Sequence, residues 1–115
     1  MAPEIVVVII GNPRQSHRPA EAMRIALGLS TGPNPLKLVL LHDARLLLTE
    51  EAPDLVDGEI LEKHLPVVQE CQIPIIVPQG SKDEFVFEPG FAIREHSAQE
   101  IALLIFQGDR VLIFT

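Results

Sequence analysis

Residues 4–10 read EIVVVII. After Glu4, every residue of this stretch is a β-branched Ile or Val. β-branched side chains fit an extended, pleated backbone better than a helix. A strand with one wet face alternates polar and apolar residues, and this one does not. An unbroken apolar run is how a strand buried on both faces reads. Such strands sit inside parallel sheets with helices packed above and below. The stretch therefore predicts an α/β protein.

The chain that follows supports this reading. Gly11–His17 (GNPRQSH) is a polar loop. Arg18–Leu29 (RPAEAMRIALGL) predicts a helix, with Pro19 tolerated in the first turn and Ala22, Ile25, Ala26 and Leu29 at helical spacing. STGPNP ends it. Leu36–Leu41 predicts a second strand, with His42 and Asp43 at its end. Arg45–Glu51 is ambiguous and reads as one helical turn at most. Asp57–Gln72 predicts a helix whose apolar arc holds Ile60, Leu61, His64, Leu65, Val67, Val68 and Cys71. Pro66 removes one backbone bond, so a kink or a second short helix is expected there. Ile73–Val77 predicts a third strand, with Pro74 near its start. Pro78–Gly90 is a loop that Phe85, Phe87 and Phe91 anchor, and Phe91–Arg94 is a short extended piece. Ser97–Glu100 (SAQE) is a capping box opening a helix over Ala98–Gln107, with Gly108 as its stop. Arg110–Phe114 (RVLIF) is the last strand. This alternation predicts a flavodoxin-like three-layer α/β sandwich, with a mainly parallel sheet of about five strands covered on both faces. Residues 1–115 form a single domain.

Composition narrows the functions. Nine Lys and Arg against sixteen Asp and Glu give a net charge of −7. With no Trp, no Tyr and no basic stripe, nucleic acid and anionic membranes are poor partners. One cysteine excludes an internal disulfide framework and a Cys-rich zinc site. The run Ile5–Ile10 is far below the roughly 20 residues that span a bilayer, and the N-terminus lacks a signal-peptide pattern. A cytoplasmic location is the expectation.

Three stretches carry a family resemblance. The first is AEAMRIALGL after the opening strand and polar loop. The second is PLKLVLLHDARLLL. The third is IPIIVPQGS through GDRVLIF, which includes an apolar helix and a last strand. In order and spacing the chain resembles the DsrE/DsrF-like family, the group that also holds TusD-like and YchN-like proteins. The resemblance covers nearly the whole chain. It implies a flavodoxin-like domain that forms homo- or hetero-oligomers, with a homo-oligomer (dimer, trimer or hexamer) expected here, and sulfur-relay proteins as partners. Its active members carry sulfur as a persulfide on a cysteine just after the strand that IPIIV matches. Here that place holds Pro78, Gln79, Gly80 and Ser81. The resemblance therefore implies a binding or structural member of sulfur-related metabolism rather than the carrier.

Parallel sheets bind ligands beyond the C-terminal ends of their strands. This points to Asn12, Arg14, Ser16 and His17 after the first strand, His42 and Asp43 after the second, and Gln79, Gly80 and Ser81 after the third. Arg14 and His17 beside a helix N-terminus suggest a small-anion or phosphorylated-ligand site, against a plain solvated loop capped by Ser16. Gly80 allows close backbone approach or simply makes a turn. Asp43 reads as a cap for the turn that follows it. His17, His42 and Asp43 would hold a metal only if folding converged them, so no metal is expected. No GxGxxG or Walker pattern is present and no cofactor is implied. Cys71 is the alternative catalytic residue, a displaced sulfurtransferase thiol. Its place on the apolar arc instead predicts a buried packing residue. His64 shares that arc, but seven residues separate the two, roughly 10 Å along a helix, too far for an ion pair. Arg94, Glu95 and His96, the apolar last strand and the Phe-bearing loop are expected to contact a neighbouring subunit.

Overall fold

The computed structural model describes residues 3–115. Five strands form one sheet: β1 (Ile5–Ile9), β2 (Leu36–Leu40), β3 (Ile75–Pro78), β4 (Ile93–His96) and β5 (Arg110–Phe114). Every pairing is parallel, and the order across the sheet is β4-β3-β2-β1-β5. The helices are α1 (Arg18–Ser30), α2 (Gly58–Glu70), the single turn α3 (Ser81–Glu84) and α4 (Ala98–Gln107). Two 3-10 segments, His42–Leu48 and Ala52–Asp54, lie between β2 and α2.

This order explains which face each helix covers. From β1 to β4 the chain steps across the sheet in one direction. Right-handed crossovers then set all three connections on the same face. The step from β4 to β5 returns across the whole sheet, so α4 must lie on the opposite face. The packing agrees. Ile5, Val7, Ile9, Leu38, Leu40, Ile75 and Val77 face a large core shared with α1, α2 and the 3-10 segment. Val6, Val8, Val39 and Ile76 face Ile101 of α4 in a smaller core. Alternate residues of each strand thus enter opposite cores, which is why EIVVVII has no polar alternation.

The three-layer α/β class is as expected, and the 4-3-2-1-5 order differs from the 2-1-3-4-5 order of flavodoxin itself. The second face is only partly covered, because one helix spans it. Leu103 and Phe106 of α4 are 54% and 85% exposed, and Ile113 of β5 is 56% exposed.

Several local expectations change. The helix α2 runs unbroken through Pro66, which points to solvent. Leu61, Leu65 and Val68 bury the opposite side and hold the helix despite the missing bond. The expected apolar arc is narrower than its sequence suggested: Ile60 and Val67 are exposed. Cys71 is exposed too, and is not the buried packing residue expected above. It lies about 80° around the helix from Leu61 at 100° per residue. It also caps the helix C-terminus, beyond the last packed turn. The capping box of α4 forms as expected, with Ser97 and Glu100 exchanging bonds of 3.1 and 2.8 Å. Gly108 closes α4 for a steric reason, not a left-handed turn: its φ is −65°, and a Cβ there would meet Val6 Cγ2 at 2.8 Å.

Candidate functional site

In an open α/β sheet the natural crevice lies where connections leaving neighbouring strands diverge to opposite faces. Here that place is unique to one strand pair. The connection after β3 goes to the α1/α2 face, and the connection after β4 goes to the α4 face. The strand order therefore places the expected crevice between Gln79–Ser81 and His96–Ser97. A backbone bond from Gln79 N to His96 O, 2.9 Å long, ties its two lips.

The β3 side of the crevice is tightly organised. Gly80 takes φ +91°, a conformation that other residues adopt at a cost, and turns the chain into α3. Ser81 is fully buried. Its hydroxyl donates to Pro78 O at 2.5 Å and accepts from Arg45 Nη1 at 2.9 Å. Arg45, only 9% exposed, also donates from Nε to His42 O at 2.8 Å and pairs with Glu84 at 3.1 Å. Its guanidinium carbon stands 4.5 Å from the centre of the Phe85 ring. The buried cation thus ties the end of β2 to the turn after β3. His42, whose carbonyl accepts from Arg45, takes φ +54° at this point. Sequence reading missed Arg45 as a site-forming residue. The signal was an arginine set inside the apolar run ARLLL, where an unpaired charge would be costly.

Lys82 N donates to the Glu95 carboxylate at 2.8 Å, closing the outer side of the turn. Gln79 and Gly80 remain exposed. The α4 N-terminus offers little to an anion, because its capping box fills the space. The backbone and hydroxyl of Ser97 hold the Glu100 carboxyl below its usual range, keeping a negative charge there.

The other candidate residues lie at the same edge of the sheet but do not form one site. Asn12 Oδ1 accepts from Arg14 N at 2.9 Å, and Ser16 Oγ accepts from Arg18 N at 3.1 Å. Arg14 is committed to Glu51 through two bonds of 2.9 and 2.8 Å. These bonds hold the Glu51 carboxyl below its usual range and raise Arg14. The charge expected to attract an anion is therefore neutralised. His17, His42 and Asp43 are exposed. Asp43 sits within the 3-10 turn, whose start carries no side-chain cap, so the expected capping role is not seen. Among the described residues, no group of three His, Cys, Asp or Glu is placed to hold a metal.

Cys71 lies at the other pole. It lines a shallow cleft with Asn34, Leu36, Ile73 and Pro74, at the start of β2 and β3. The length of β3 separates it from the crevice. Among the described residues, no helix is long and apolar enough to cross a membrane.

No family model matches this chain, and no curated protein matches it at a significant level. Among solved structures it is similar to the YchN protein of E. coli. The TM-score is 0.76 at 21% sequence identity, with 99% of this chain and all of that chain covered. At that identity the likeness establishes a shared fold, the one to which the sequence motifs point.

Proposed function

We propose that this chain is a DsrE/DsrF-like, non-catalytic member of sulfur-related metabolism, acting as an oligomeric binding or structural partner rather than as the sulfur carrier. One observation carries the reading. In the turn after β3, where resembling carriers keep their thiol, the only side-chain hydroxyl is that of Ser81. It is buried and spent on Pro78 and Arg45. A nucleophile must reach its substrate, and this one is sealed. The partly uncovered α4 face supports the oligomeric part. Leu103, Phe106 and Ile113 leave apolar surface there of the kind that protein contacts cover.

The exposed Cys71 favours a second reading, sulfur transfer through that thiol. Against it stands the helix C-terminus, which offers carbonyl oxygens rather than N–H donors to a developing thiolate. The test incubates the native chain with a cysteine desulfurase and free cysteine and follows its intact mass. On the proposed reading the mass stays that of the free thiol. A stoichiometric persulfide on Cys71 sinks it in favour of the second reading.

A further inference from the structure

The segment after α3 is pinned at both ends yet presents an apolar side chain to solvent. The Phe85 and Phe87 rings stack with centroids 6.1 Å apart and pack on the larger core. Glu88 N donates to Leu48 O at 2.7 Å, and Gln69 Nε2 donates to Pro89 O at 2.8 Å. Gln72 Nε2 holds Gly90 O at 2.9 Å. Between these anchors Val86 is 88% exposed. Glu84 and Glu88 flank it, both exposed. A projecting side chain on an anchored loop loses little conformational freedom on docking.

The opposite face carries a complementary feature. A groove of about 390 Å³ runs beside α4 over β2, β3 and β4. Pro74, Ile76, Ala92 and Leu104 make it apolar; Arg94 edges it with positive charge, and Lys37 at the other edge is paired with Glu4. Among the described residues no Asp or Glu lines it, in a chain with sixteen. The sheet register explains the placement. Arg94 pairs with Ile76, so both point to the α4 face, and Lys37 lies on that face two strands away and two residues nearer the strand starts, about 12 Å at the usual spacings. Lys37 reaches Glu4 at 2.9 Å, whereas Arg94 makes no ion pair among the described residues.

We propose that this groove receives the Glu84–Glu88 loop of a second copy of the chain. Val86 fills the apolar floor and Glu88 meets Arg94, while Glu84 stays with Arg45 and Lys37 with Glu4 of their own chains. The proposal rests on the oligomeric reading above and specifies how the oligomer is built. The two surfaces differ, so the contact is heterologous and repeats head to tail until a ring closes. A two-fold axis passing through the groove would instead set Arg94 against its own copy, like charge against like.

The test is light scattering on the full chain at low salt. It compares the unmodified chain, Arg94→Glu, Glu88→Arg, the double variant and an equimolar mixture of the two single variants. Both residues are exposed, so each variant's thermal melt serves to confirm its fold. The expected result is an oligomer whose association weakens at least about tenfold in each single variant. Association returns in the double variant, and in the mixture, where every altered surface can find a matching one. An oligomer indifferent to both substitutions overturns this docking mode and leaves the oligomeric reading standing. A dimer weakened by Arg94→Glu but not by Glu88→Arg overturns the head-to-tail arrangement. A chain that is monomeric at every concentration overturns both.

Discussion

Ser81 and Arg45 form a small buried unit in which each satisfies the other. The serine hydroxyl both donates and accepts, and the guanidinium reaches a carbonyl, a hydroxyl and a carboxylate. Removing one partner of a buried charged bond leaves a desolvated group unpaired. We predict that Arg45→Ala destabilises the chain by about 2–3 kcal/mol in urea unfolding. An unchanged midpoint would show that the network contributes nothing. Ser81→Ala is expected to cost less, about 1 kcal/mol, since Arg45 keeps His42 and Glu84. Cys71 gives the contrasting case. Its exposure predicts alkylation by iodoacetamide in the native chain at a rate close to that after denaturation. Protection until unfolding would return it to the buried role its sequence position suggests. That role was a fair reading of a thiol on an apolar arc. The arc's width, however, is set by how closely α2 meets α1, and the helix's own spacing does not contain that distance.

Among the elements, α4 shows how far local sequence reaches. SAQE marks its start to the residue, because capping needs only partners three residues apart. Ser97→Ala is predicted to cost about 1 kcal/mol. The Glu100 carboxyl is held below its usual range by its bonds to Ser97, so its contribution to stability has a definite sign. A depressed pKa stabilises the fold above the unfolded value and loses that effect as the pH falls through the folded value. Glu100→Gln should therefore lower the melting temperature slightly at pH 7. The difference should begin to shrink as the pH drops below the ordinary carboxylate value of 4.5 and vanish once the pH is below the lower, folded value. A difference that persists at low pH would place the effect elsewhere. Elements that depend on distant partners were less legible. Pro66 suggested a break in α2, but Leu61, Leu65 and Val68 pack firmly enough to carry the helix past it. Gly58 gave no local signal, yet a Cβ there would stand 2.1 Å from Pro53 O. Gly58→Ala is predicted to destabilise by roughly 2–3 kcal/mol through overpacking. A stability within a few tenths of the unmodified chain would mean that the Ala52–Asp54 turn moves freely.

For the whole molecule, the continuous apolar runs announce a parallel sheet, since each strand's two faces must both be buried. The strand order was not legible, because it depends on pairings between distant segments. It is the order that positions the candidate site. It sends three connections to one face and one to the other, leaves the α4 face partly covered, and sets the switch point between β3 and β4. At that crevice the chain presents a sealed serine, while its single thiol stands at the opposite pole. The most direct test charges a sulfur donor and measures sulfur passed to a thiol acceptor, comparing the unmodified chain with Cys71→Ser. Equal, background transfer from both is the expected result. Transfer that depends on Cys71 and turns over would contradict it and make this chain a sulfur carrier.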